Sequence, residues 1–150
     1  LAKKYQNSNF IGLDASALML EIASKNIKKE GLSKQISLVH GLAGNHAFQE
    51  KVDKMFFSYS LSMMSKPEMI LENCLDQMPP GGTIHIVDFG DFRHWPGIFK
   101  SPTLKFLNLY EIFPKMDVVK KFEYNKKGVV KYKSKLGGYF YLATIKRGDF

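Results

Sequence analysis

Asp14 closes the apolar run Asn9-Phe10-Ile11-Gly12-Leu13-Asp14, and an amphipathic helical pattern follows at once. A carboxylate at the carboxyl end of a strand in an open α/β sheet can accept hydrogen bonds from both hydroxyls of a nucleoside sugar. The same position, followed by Ala15-Ser16, also suits a helix start, where a side-chain oxygen satisfies orphan backbone donors. The glycine loop that a dinucleotide fingerprint places roughly 20 residues upstream of such an acid is not in the sequence. Gly41-Leu42-Ala43-Gly44 has little side-chain bulk, so its backbone can approach a flat ligand or simply leave a strand. Phe57-Ser58-Tyr59-Ser60 ends a third apolar run, and strand ends of this kind aim side chains into a ligand crevice.

Other reactive residue types read as structural. His40, His46, His85 and His94 are scattered and no cysteines are paired with them, so no zinc site is expected. His85, inside an apolar strand, reads as a hydrogen-bonded core histidine. Cys74 lies among Ile70, Leu71, Leu75 and Met78 at helical spacing and reads as packed core rather than nucleophile. A single cysteine excludes an internal disulfide and points to a reducing, cytoplasmic setting.

A length of 150 residues with 45% apolar composition suits one globular domain, residues 1–150, with a real core. The first residue is Leu, and Leu1-Ala2-Lys3-Lys4-Tyr5-Gln6-Asn7-Ser8 reads as the last turn of a helix entering a polar turn, as in an amino-terminally truncated chain. No apolar stretch approaches the roughly 18 residues of a membrane span. The formal charge of +8 favours anionic partners. Lys115, Lys120, Lys121, Lys126, Lys127, Lys131, Lys133, Lys135, Lys146 and Arg147 crowd the last third among aromatics. No RNA-binding signature or finger spacing accompanies them, so nucleic acid is not expected as a partner.

The elements that must position Asp14 and the strand ends follow from periodicity. Ala15, Leu18, Met19, Ile22, Ala23 and Ile27 recur at three- and four-residue steps, which predicts a helix that packs on a sheet and ends at Gly31. Gln35 to His40 and Val52 to Ser60 read as strands, and a helix is expected from Pro67 through Met78. Pro79-Pro80-Gly81-Gly82 breaks it. Thr83 to Asp91 reads as a strand buried on both faces. From Arg93 to Phe113 an aromatic and aliphatic stretch suits closure over an apolar substrate or contact with a membrane interface, while a helix laid on the sheet as core is the plainer reading. A short helix from Met116 to Glu123 leads to an antiparallel hairpin, Gly128 to Lys133 and Tyr139 to Lys146.

This order of elements is that of an α/β layer with a parallel sheet and a terminal antiparallel pair. With Asp14 followed by Ser16-Ala17-Leu18-Met19-Leu20, and with Pro80-Gly81-Gly82 before the Ile84 to Asp88 strand, the chain resembles class I S-adenosylmethionine-dependent methyltransferases. Phe57-Ser58-Tyr59-Ser60-Leu61-Ser62-Met63, Gly82 to Asp91 and Gly137-Gly138-Tyr139 look like the enzymes that N-methylate diacylglycerylhomoserine to make a betaine lipid. The resemblance implies a Rossmann-like sheet, mainly parallel with a carboxyl-terminal antiparallel hairpin. That family's first strand and glycine-rich loop would precede Leu1, and an acid common in relatives is replaced by Leu42.

The same resemblance implies S-adenosyl-L-methionine as cofactor, held by Asp14 and Ala15 at the ribose, by Gly41, Leu42 and Ala43 around the adenine, and by Ser58 at the methionine end. Tyr59 would present the acceptor, its ring tolerating a growing quaternary ammonium; a merely packed tyrosine is the other reading. Asp88 and Asp91 would attract the amine or take its proton, or would be solvated residues at a strand end. The implied acceptor is a lipid or small-molecule amine. Peripheral contact with an anionic membrane on the cytoplasmic side would engage the lysines, with Trp95 and Phe99 at the interface. Two other classes fit parts of the pattern: a nicotinamide-dependent oxidoreductase, which also places an acid on a ribose, and a non-catalytic binding module on the same fold.

Overall fold

The computed structural model describes residues 1–122 and 128–148, with only the backbone of Lys120. The chain divides into two compact units, Leu1–Ala47 and Phe48–Phe150.

In the first unit, β1 (Phe10–Asp14) and β2 (Ile36–His40) pair in parallel from Phe10↔Ile36 to Asp14↔His40, connected through α1 (Ala17–Lys29). The strands pack closely at Gly12, where a Cβ would stand 2.9 Å from Leu38 Cδ2 and displace the end of that side chain. Ser16 caps α1, its hydroxyl accepting from the Met19 amide at 3.3 Å. Gly31, at φ +68°, ends the helix as the sequence predicts. Residues 1–8 contain turns: the Lys4 and Tyr5 amides both donate to the Leu1 carbonyl, and the Gln35 side chain donates through Nε2 to the carbonyls of Tyr5 and Ser8.

The predicted face of α1 is not buried. Leu18, Met19 and Ile22 are exposed, and Leu20, Ala23 and Ile27 are the half-buried apolar side chains of the helix. Two five-residue strands offer too little surface to cover the whole apolar stripe of a 13-residue helix.

The second unit contains β3 (Lys54–Ser58), α2 (Pro67–Asp76), β4 (Thr83–Phe89), α3 (Gly97–Leu109), α4 (Met116–Phe122), β5 (Gly128–Lys135) and β6 (Phe140–Arg147). Its sheet has the order β3-β4-β6-β5, with β3 parallel to β4 and β6 antiparallel to both β4 and β5. Among the described residues the strands therefore make two sheets where the sequence reads as one. Met55 and Phe57 of β3, Ile84 and Ile86 of β4, and Tyr141, Ala143 and Ile145 of β6 are buried, as are Leu71, Cys74 and Leu75 of α2 and Val119 and Phe122 of α4. The helix read from Met116 to Glu123 ends within the described residues at Phe122; Glu123, Lys126 and Lys127 lie outside them.

Two expectations are corrected here. β4 alternates instead of burying both faces: Ile84, Ile86 and Asp88 point into the core, while Thr83, His85, Val87 and Phe89 are half-buried. Strands read as apolar runs when both sheet faces are covered. Here the neighbours of β4 on that other side, Phe56 and Leu142, are themselves exposed. His85 is tied between the hydroxyls of Thr83 and Thr144 at 3.2 and 3.1 Å. Helix α3 is not core either, since Leu107 is its one buried residue.

The far end of the sheet is closed by glycines. A Cβ on Gly90 would stand 2.2 Å from the Gly138 carbonyl, and Gly138 itself adopts φ +94°. Only residues without side chains allow β4 and the turn before β6 to come this close.

Candidate active site

Each unit contributes one set of strand ends. In the first, the Gly41 amide donates to the Asp14 carbonyl at 3.0 Å and His40 Nε2 lies 2.9 Å from the Ala15 carbonyl, so both strand exits are fastened together. Asp14 Oδ1 accepts from the Ser16 amide at 2.8 Å, which fixes the carboxylate at the strand end. Asp14 is exposed, and Oδ2 has no partner among the described residues. Both readings of Asp14 are thus compatible: it braces the helix start, Ser16 does the capping, and one oxygen stays available for hydroxyls. A Cβ on Gly41 would approach Leu13 Cδ1 to 3.3 Å, so the bend there also favours a residue without a side chain. Leu42 is exposed and Ala43 half-buried beyond it.

In the second unit Ser58 ends β3 beside Val87, exposed on the uncovered sheet face. Tyr59 follows in the left-handed region at φ +49°, its amide donating to the Val87 carbonyl at 2.8 Å. A tyrosine held there costs of order 1–3 kcal/mol, so neighbouring contacts must over-determine it. One is the Phe89 ring, 4.9 Å away; Phe89 in turn meets Tyr139 at 6.0 Å, and Tyr139 stacks on Trp95 at 5.8 Å. Burial, then Tyr139, then the Asp88 charge push the Tyr59 phenol above its ordinary pKa, so it is a neutral donor with an open aromatic face rather than a base.

Asp88 is not solvated. It is 1% exposed; Oδ2 accepts from the Ser62 amide at 2.9 Å and Oδ1 from its neighbour Phe89 at 2.7 Å. The Ser62 carbonyl accepts from the Phe113 amide at 3.1 Å, so Asp88 and Ser62 rivet the turn after β3 between the sheet and the start of α4. Tyr141, opposite Asp88 in register, has its phenol pushed up by burial first and then by that carboxylate. The Ser62 hydroxyl and the Tyr141 phenol are both buried without a hydrogen-bond partner among the described residues.

Asp91 pairs with Arg93, whose Nε and Nη2 stand 2.9 and 2.7 Å from Oδ2. The hydrogen bond from Arg93 holds the carboxyl below its ordinary range. A carboxylate so stabilised is a poor proton acceptor. The structure therefore brings Ser58, Tyr59 and Asp88 to one strand end and Asp14, Ala15 and Gly41 to another, with Asp91 drawn to Arg93. His40, Ser62, Phe89 and Tyr139 were not singled out from the sequence. No sequence signal marks Phe89, whose position follows from the alternation of β4, and the other three depend on contacts 25 or more residues apart. Among the described residues no group of three His, Cys, Asp or Glu side chains could hold a metal ion.

The sequence pattern of the methyltransferase domain family matches residues 1–82, more than half of the chain. The chain belongs to the methyltransferase domain family. No curated protein matches it in sequence. Solved structures share the fold over nearly all of its length. The S-adenosylmethionine-dependent methyltransferase SibL, in its apo form, is 17% identical with a TM-score of 0.74, covering 99% of this chain and 46% of its own. The plantazolicin methyltransferase BpumL, in complex with a monoazolic desmethylPZN analogue and SAH, is 14% identical with a TM-score of 0.72, covering 98% and 69%. The [4+2]-cyclase SpnF is 12% identical with a TM-score of 0.72, covering 94% and 66%.

The chain spans about half the length of SibL and of other solved structures it matches. Such identities establish the fold, and a cyclase among the relatives shows that one fold carries more than one reaction. S-adenosyl-L-methionine is the cofactor that goes with the family. The residues present fit the sugar of its nucleoside: a fixed carboxylate with one oxygen available suits a ribose diol.

Proposed function

We propose that this methyltransferase-family chain, acting as one domain, serves S-adenosylmethionine-dependent transfer of a methyl group to an amine on a lipid head group, such as that of diacylglycerylhomoserine. The observation that carries the cofactor half is the exposed Asp14 carboxylate, braced by the Ser16 amide beside Gly41. Asp14 binds the ribose hydroxyls, Ala15 supports that bend, and Gly41, Leu42 and Ala43 frame the adenine. When bound, the cofactor supplies an electrophilic methyl group on a sulfonium.

The acceptor half rests on Tyr59. Its neutral phenol offers a hydrogen bond to an uncharged amine, and its ring, with Phe89 behind it, attracts the cation formed as methyl groups accumulate. The acceptor must be the free amine at each transfer, its ammonium proton having passed to solvent water. In this reading Asp88 acts through the fold by holding the Tyr59 turn and adding negative charge behind it, while Asp91 attracts the substrate cation as a surface charge shared with Arg93. The lipid assignment follows the likeness of the 57–63, 82–91 and 137–139 segments to betaine-lipid enzymes.

Calorimetric titration with S-adenosylhomocysteine tests the cofactor half. Measurable binding is expected, weakened about tenfold or more by Asp14→Asn, since charge-assisted hydrogen bonds are lost. Binding of NADH in preference to S-adenosylhomocysteine would overturn it. For the acceptor half, Tyr59→Phe is expected to keep most activity on a lipid amine and Tyr59→Ala to lose most of it.

A further inference from the structure

Helix α3 carries its apolar residues on the outside. At 100° per residue, Ile98, Phe99, Pro102, Phe106 and Leu109 fall within an arc of about 100°. Four of them are 58–77% exposed, from Phe99 at 58% to Leu109 at 77%, and Pro102 is exposed with them. The arc contains no polar residue. The opposite side of the helix anchors it, through buried Leu107 and half-buried Thr103 and Leu104. Tyr110, 5.1 Å from Phe106 between ring centres, extends the stripe by another exposed ring.

Beside the stripe runs a groove of about 310 Å³ lined by Gly97, Lys100, Ser101, Leu104, Lys105 and Asn108. Neither lysine makes an ion pair among the described residues. No acidic residue occurs from Phe92 through Tyr110. Lys100, half-buried, falls about 100° outside the arc on the groove side, whereas Lys105 falls about 20° outside it and borders the apolar face. That face is poorly suited to a second copy of itself, because a two-fold contact would leave Lys105 of each copy with no carboxylate on the stripe to answer it. It is suited to a surface that is apolar at one depth and anionic at another. At 13 residues the helix is about 20 Å long, short of the roughly 30 Å needed to cross a bilayer, so it lies on a membrane rather than through it.

We propose that the outer face of α3 docks on an anionic lipid bilayer, with Ile98, Phe106 and Leu109 in the boundary between head groups and acyl chains and Lys105 on a lipid phosphate. The inference rests on the lipid-directed reading of the function and names where the lipid is met.

Co-sedimentation of the full chain with vesicles of phosphatidylcholine alone and of phosphatidylcholine with phosphatidylserine tests it, beside an S-adenosylhomocysteine titration of the same sample. Binding to the anionic vesicles is expected, with little to the neutral ones. Phe106→Asp with Leu109→Asp should reduce it more than tenfold while leaving circular dichroism unchanged, because both side chains are exposed. Lys105→Gln should weaken it about fivefold, and Lys100→Gln, on the groove side of the helix, should change it less than about twofold. No binding to either vesicle overturns the proposal, and so does equal binding to both. A dimer in solution that Phe106→Asp disperses, without vesicle binding, also overturns it and makes a second copy the occupant. S-adenosylhomocysteine affinity without vesicle binding sinks this inference alone; vesicle binding without that affinity sinks only the functional reading.

Discussion

Helices α1 and α4 are both amphipathic in sequence, and they end in opposite environments. α4 buries Met116, Val118, Val119 and Phe122 where it packs on β5 and β6 and meets α2. α1 leaves Leu18, Met19 and Ile22 exposed, and none of its residues is fully buried. The contrast holds for the units that contain them: Ala2 is the one buried apolar residue of Leu1–Ala47, whereas among the described residues the largest buried side chains all lie in Phe48–Phe150. Spacing makes a face apolar; it takes sheet area opposite that face to bury it. Four strands provide that area, and two short ones do not.

If burial sets the difference, truncations in the two helices must differ widely in cost. Phe122→Ala, at a residue 1% exposed, is expected to destabilise by about 3–5 kcal/mol through lost burial and the cavity left behind. Asp88→Ala comes next, at about 2–3 kcal/mol, because it strands the buried Ser62 amide. Ile22→Ala in α1 should change stability by no more than about 0.5 kcal/mol. Urea denaturation of the three variants ranks them, and a cost for Ile22→Ala approaching that of Phe122→Ala would mean that the α1 stripe is covered in solution. Amide exchange should show the same order, with β1 and β2 exchanging faster than β4 and β6.

Asp91 gives the smallest effect. Its carboxyl is held below the ordinary 3.8 by Arg93, so the stabilisation is present above that range and is lost as pH falls through the lowered value. The pair is solvent-exposed and therefore weak. Asp91→Asn should leave the urea midpoint at pH 7 nearly unchanged and remove a small share of the loss of stability in acid.

Much of the fold was legible because it is local. The strand exit at Asp14, the stop at Gly31, the break at Pro79-Pro80-Gly81-Gly82 and the antiparallel hairpin all follow from turn chemistry and period, and they appear within a few residues of the expected places. The candidate site was legible only as types at strand ends. That Asp14 keeps one oxygen available, that Asp88 is sealed under Ser62, and that Asp91 turns to Arg93 depend on which neighbours fold against them.

By itself the sequence determined the order of strands and helices, the glycines at tight bends, and the acid at the end of β1, since each rests on interactions among residues near one another in the chain. Tertiary structure alone decided which apolar stripes are buried, that β4 alternates, that α3 faces outward, and that Tyr59 sits against Phe89. Those outcomes depend on surface supplied by distant segments, and a periodic pattern specifies a face without specifying what lies against it.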